Sequence, residues 1–285
     1  MTILHLLTWN LFAPALVAAA AIACCRRAGR GRSGVAAGLA LGYVAGQWGL
    51  FGWPGLSELD ANRPTAWLVL AAAVLGIVEA SRALPRRTTW AARAALVASL
   101  LALLLRPRME SGREAVEAGA WLFGLWAAVL ATWWNLEEQG QRLTGPGWVV
   151  PLGLIALGWG AVLAISGDAG KGQLEGVLAA SLLGALPTVG LRPGPALSKG
   201  GAAVASTVLG GLGVAGFFDS GVPVLAALLL VLAPWALWVD RIGVIRRRSY
   251  WTRSAIRCLA VLLAVGAAVI AAEAGTAPGL DPGSA

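Results

Sequence analysis

"WVDRIGVIRRRSYWTRSAIRCLAV" (residues 238–261) places six arginines between two apolar runs of a chain that is 58% hydrophobic. Such a stretch is either a basic surface for an acidic partner, such as nucleic acid, or a loop whose charge fixes its side of a membrane. The rest of the chain decides between them. Only 13% of the 285 residues are charged, about half the share in a soluble globular domain. A soluble protein of this length needs polar surface that this chain lacks. The glycines follow no three-residue period, which excludes a collagen-like chain. The apolar runs have the roughly 20 residues that a helix needs to cross the hydrocarbon core. The arginine-rich stretch is therefore read as a loop between two spans. No nucleic-acid partner is expected despite the net charge of +8, because no recognisable binding motif accompanies it.

Outward from that loop, the sequence predicts an all-α fold, a polytopic transmembrane helix bundle of about ten spans. They are placed at 3–25, 34–53, 64–81, 90–106, 115–136, 147–166, 172–190, 200–219, 222–239 and 254–273. With the N-terminus outside, fifteen Lys and Arg residues fall in cytoplasmic loops and five in outer loops, which favours that orientation. The outer 106–113 loop, with Arg106, Arg108 and Arg113, is the exception. The expected location is a bacterial cytoplasmic (inner) membrane, multi-pass, with both termini outside. The first span has no basic residue before its apolar run and makes a poor signal peptide. Eleven of the fourteen tryptophans lie within about two turns of a proposed boundary, where an indole suits the interface. Trp48, Trp126 and Trp159 lie deeper and are expected to pack between helices.

Two stretches resemble each other. Residues 64–105 and 223–267 each hold an apolar helix ending in an acid, an Arg-rich loop with a Trp, and an Arg just inside the next helix. The acids are Glu79 and Asp240, and the arginines are Arg93 and Arg257. This suggests a parallel 4+2+4 internal repeat: helices 1–4 in residues 1–106, helices 5–6 in 107–171, helices 7–10 in 172–273, then a Gly/Pro-rich disordered tail, 274–285. The other reading is that two Arg-anchored hairpins in a Leu/Ala-rich chain look alike without duplication. In either case each acid is expected to meet its arginine at the cytoplasmic edge, because pairing lowers the cost of a charge near hydrocarbon. Gly34, Gly38, Gly42 and Gly46 recur every four residues, giving a groove along one helix face for close packing.

Reactive chemistry is sparse. His5 is the only histidine, and Cys24, Cys25 and Cys258 lack zinc-ligand spacing. No metal site and no cofactor are expected. "GDAGKGQ" (167–173) lacks phosphate-loop spacing and reads as an outer turn. No nucleophile elbow or His–Asp pair is present, so an enzyme is the weaker reading. Glu117, Glu175, Asp219 and Gln47 sit near the outer ends of spans and are candidates for a polar outer cavity, or for structural placement near helix ends. The leading expectation is permease-like handling of a small solute. The alternatives are a non-transporting scaffold or accessory subunit and, behind it, a membrane-embedded enzyme. The partners expected are the lipid bilayer, with anionic lipid at the basic cytoplasmic loops, and a protein partner or homo-oligomer.

Overall fold

The computed structural model describes residues 3–29, 31–52, 64–81, 85–109, 115–143, 145–190 and 200–276. Among these residues the chain is helical, without strands. The helices are α1 (Ile3–Arg27), α2 (Gly31–Phe51), α3 (Pro64–Ala80), α4 (Arg86–Met109) and α5 (Ala115–Arg142). They continue as α6 (Pro146–Ile165), α7 (Ala169–Gly190), α8 (Gly200–Asp219), α9 (Val224–Arg241) and α10 (Tyr250–Thr276). A single helical turn, Gly243–Arg246, lies between the last two.

Seven of these helices are long and apolar enough to cross a membrane: α1, α2, α4, α6, α8, α9 and α10. Among the described residues α3, α5 and α7 fall short of that standard. Helix α3 is only 17 residues long, and α5 and α7 dilute their apolar residues with Gly, Trp, Gln, Asn, Ser and Thr and with charges near their ends. The last helix runs through Thr276, so the first three residues of the expected tail are helical; residues 277–285 lie outside the described residues.

Two prolines leave visible marks. Pro14 has no N–H to donate four residues back, and the turn before it, Thr8–Phe12, is π-wound. Pro234 opens a 3₁₀ segment, Ala233–Arg241, which finishes α9. Pro187, by contrast, is carried inside α7.

Helix α8 occupies the centre. It is apolar on every face, as a helix with no solvent or lipid side must be, and it is buried from Gly200 to Gly216 almost without interruption. Its glycines let neighbouring helices approach closely. A Cβ at Gly200 would lie 2.4 Å from Ala36 of α2, and one at Gly210 would lie 2.9 Å from Val129 of α5. At Gly213 it would meet the Trp159 ring of α6 at 3.0 Å.

The four-residue glycine ladder of α2 is likewise an internal seam. Cβ atoms at Gly34 and Gly38 would collide with Cys25 and Ile22 of α1, at 2.6 and 2.4 Å. At Gly42 one would lie 2.7 Å from both the Pro14 carbonyl of α1 and Ser181 Oγ of α7, and at Gly46 2.5 Å from Val177 of α7. The ladder holds α1 and α7 against α2.

The two proposed sets of four helices pack differently. Helices α1 and α2 form a close hairpin, whereas α7 lies mainly against α6 and α1 and only lightly against α8. The tryptophans also depart from expectation. Trp48 is 56% exposed on the bundle surface, while Trp133 and Trp148, near helix ends, are fully buried. Trp148 satisfies its indole N–H on the Leu136 carbonyl at 3.1 Å, so a protein partner replaces the headgroup region.

Candidate functional site

The ends of α3, α4, α5, α9 and α10 that carry Glu79, Arg93, Arg142, Asp240 and Arg257 gather at one end of the bundle, the arginine-rich end. The α3–α4 hairpin forms a closed site there. Arg93 donates from Nε to Glu79 Oε1 at 2.8 Å and from Nη2 to Oε2 at 2.6 Å, a two-pronged contact that the planar guanidinium favours. Its Nη1 reaches Glu137 of α5 at 2.5 Å. Arg93 and Glu79 are each 3% exposed. The rings of Trp90 and Trp133 lie 5.1 and 5.3 Å from the guanidinium, within cation–π range. Every arm of Arg93 is occupied, and its two acids outnumber it.

The α9–α10 hairpin begins from the same pattern. Arg257, 3% exposed, donates from Nη2 to Asp240 at 2.5 Å. The 3₁₀ winding explains how Asp240 reaches inward: side chains three residues apart eclipse in such a helix, and Pro234 and Leu237 on the same stripe are buried. Here the site stays open. A cavity of about 610 Å³ is lined by Arg142, Arg241, Arg246, Arg253 and Arg257, with Asp240 its only acid among the described residues. Arg142, Arg241 and Arg246 stand exposed at the rim, Arg253 is half-buried and Arg257 lies at the base.

Trp238 organises the rim. Arg241 lies 3.7 Å and Arg142 4.9 Å from its ring, and its Nε1 donates to Asn135 Oδ1 of α5. Arg142 is also paired with Glu138, one turn back on α5. Gln139 and Tyr250 complete the polar lining. Arg257 Nε and Nη1 and Arg253 Nε are buried and have no hydrogen-bond partner among the described residues.

The opposite end holds a different network. Asp168, in the turn between α6 and α7, accepts from the Lys171 backbone N–H at 2.9 Å and from its ammonium at 2.5 Å. Ser220, after α8, donates to the same carboxylate at 3.0 Å. Burial works against the ionised form of Asp168, but these hydrogen bonds outweigh it and hold the carboxyl below its usual value. Asp219 lies 3.6 Å from Lys171, so that candidate belongs to a clamp between two turns. Glu175 is fully buried, and neither carboxyl oxygen has a hydrogen-bond partner among the described residues. Gln47 is 2% exposed on α2. The Glu117 side chain lies outside the described residues. A second cavity, of about 260 Å³, lies between α5, α6, α8 and α9; it is lined mainly by apolar side chains, including Trp121, Trp159 and Phe217, and Gln47, Glu175 and Asp219 are not among them.

Chemically, the open cavity can bind an anion. Its guanidinium groups are permanent cations with fixed donor geometry, and they outnumber the acids beside them. Among the described residues no group of three or more His, Cys, Asp or Glu side chains converges as metal ligands would. The sequence pattern pairs Arg257 with Asp240 but does not find the cavity. Arg142 comes from a helix end about 100 residues away, and the loop arginines enter an orientation count as a sum rather than as a shape. The spacing of Trp238 and Arg241 on a helix that Pro234 can tighten is the one local signal available.

The fold and this site define a class: an all-helical, membrane-embedded protein with an arginine-lined cavity at one end. No protein-family model matches the chain, and no curated protein and no solved structure matches it.

Proposed function

We propose that the chain crosses a cytoplasmic membrane ten times, with both termini outside, and handles a small anionic solute in a permease-like manner from its cytoplasmic side. The observation that carries this is the open cavity, about 610 Å³ with five arginines around one aspartate. A cleft lined by one sign of charge raises the local concentration of the opposite sign. In this reading α3, α5 and α7 also span, beside more apolar neighbours. The 4+2+4 duplication is retained only as the likeness of the two basic hairpins.

Reconstitution into liposomes tests the activity. Flux of labelled inorganic phosphate, sulfate or a dicarboxylate is expected in the wild type and reduced in an Arg246→Gln/Arg253→Gln variant. Orientation is tested separately: a cysteine replacing the exposed Ser249 should stay unlabelled by an impermeant reagent in intact cells.

A second reading, a non-transporting membrane subunit, draws support from the centre of α8. Its polar side chains there, Ser206 and Thr207, both donate back to carbonyls of their own helix, at 2.7 and 2.8 Å. Absence of flux for all three anions would favour that reading.

A further inference from the structure

We propose that the base of the open cavity is a phosphoryl-binding site, in which Arg257 and Arg253 hold a phosphate group. This rests on reading the cavity as an anion site, but not on transport.

Three observations converge there. First, Arg257 is 3% exposed, and its Nη2 is committed to Asp240 at 2.5 Å. Its Nε and Nη1, and Nε of Arg253, are buried donors without an acceptor among the described residues. Leaving such donors unmatched is costly, and both arginines that carry them line one cavity.

Second, residue 147 is glycine. A Cβ at that position would lie 3.2 Å from both Arg257 Nη1 and the Tyr250 hydroxyl. Its absence lets both groups approach the start of a 20-residue helix. The positive end of that helix dipole adds to the positive field around Arg257.

Third, the charge balance selects the ligand. Counting Asp240 and the Glu138 partner of Arg142 against the five arginines, three positive charges remain. A monocarboxylate leaves most of that uncompensated. A phosphomonoester carries about −1.5 to −2 at neutral pH, with three acceptor oxygens, and its geometry suits the guanidinium fork. That group belongs either to a phosphorylated solute or to an anionic lipid with a terminal phosphate.

The test uses the full-length protein in phosphatidylcholine nanodiscs, with thermal unfolding followed by tryptophan fluorescence. One arm adds inorganic phosphate against chloride at matched ionic strength. The other replaces about one fifth of the lipid with phosphatidate. Arg257→Gln removes the partner of Asp240 and risks misfolding, so Arg253→Gln is the principal variant. The expected result is stabilisation of the wild type by one of the probes, with the half-saturating phosphate concentration, or the lipid fraction needed, raised about tenfold in Arg253→Gln, as loss of a charged hydrogen bond implies.

Stabilisation by free phosphate assigns the site to a soluble ligand, and stabilisation by phosphatidate alone assigns it to a lipid headgroup. No response to either probe, or equal responses in wild type and Arg253→Gln, overturns the proposal. Phosphate binding without flux in liposomes leaves this site standing and removes the permease reading.

Discussion

The α3–α4 and α9–α10 hairpins start from one sequence pattern and end as different sites. Both bring an acid at the end of one helix onto an arginine inside the next, at 2.6 and 2.5 Å. In the first, Glu137 and two tryptophans close the remaining sides of the arginine. In the second, the arginine keeps two buried nitrogens without partners among the described residues and lines a cavity. The difference comes from α5, which touches both. Its Glu137 turns to Arg93, while Arg142, five residues on and roughly 140° around the helix, turns to the rim of the cavity. One hairpin receives an acid from the third helix and the other receives a base. A shared local motif therefore says little about role until the neighbour that completes it is known.

The strongest way to break this contrast is Arg93→Gln. It leaves Glu79 and Glu137 facing each other while buried, and should cost about 3–5 kcal/mol in detergent unfolding measurements. Adding Glu79→Gln should recover part of that loss, because it removes one of two like charges; strictly additive effects would dismiss the three-residue cluster. In the open hairpin, Asp240→Asn should cost only about 1–2 kcal/mol, since the cavity admits water or an anion to Arg257. An effect as large as that of Arg93→Gln would mean the second site is as closed as the first.

Asp168 is a reference point remote from both hairpins. Its carboxyl is held below the usual value in the folded state, so its contribution is present above the unfolded value, about pH 4. That contribution is lost as pH falls through the lower folded value. Asp168→Asn should lower the melting temperature by roughly 2–4 °C at neutral pH. The gap to wild type should close in acid, and a gap independent of pH would show that the Lys171 and Ser220 contacts are unimportant. The smallest effect belongs to Arg246→Gln at the exposed rim. Unfolding stability should change by no more than about 0.5 kcal/mol, and a larger loss would show that Arg246 holds structure rather than ligand.

Much of the helical architecture was legible because a membrane helix must be apolar over a fixed length, and that pattern is local. Gly34, Gly38, Gly42 and Gly46 announced a packing face for the same reason, although only the structure shows that α1 and α7 fill it. The Glu79–Arg93 and Asp240–Arg257 contacts lie within hairpins, where short loops and antiparallel helices bring the partners near each other. Glu137, Arg142 and Gly147 were missed because they reach those pairs from helices distant in sequence. The Trp48 placement failed because depth along a helix was taken for burial, whereas the face a residue occupies decides whether it meets protein or lipid. The outer candidates shared a depth but not a face: Asp219 joins the Lys171 clamp, while Glu175 and Gln47 disappear into helix packing.

The position of α8 constrains how the protein is made. Seven helices leave the ribosome before the one at the bundle centre exists, and several of them hold surfaces shaped for it. Ala36, Leu100, Val129 and Trp159, on four of those helices, all wait for glycines between Gly200 and Gly213. Until that segment is synthesised, only lipid can fill the slot, and lipid cannot enter grooves cut for a bare backbone. A nascent chain ending before residue 200 should therefore be loosely assembled and open to quality-control proteases. Emergence of α8 becomes the event that converts a row of inserted helices into a bundle.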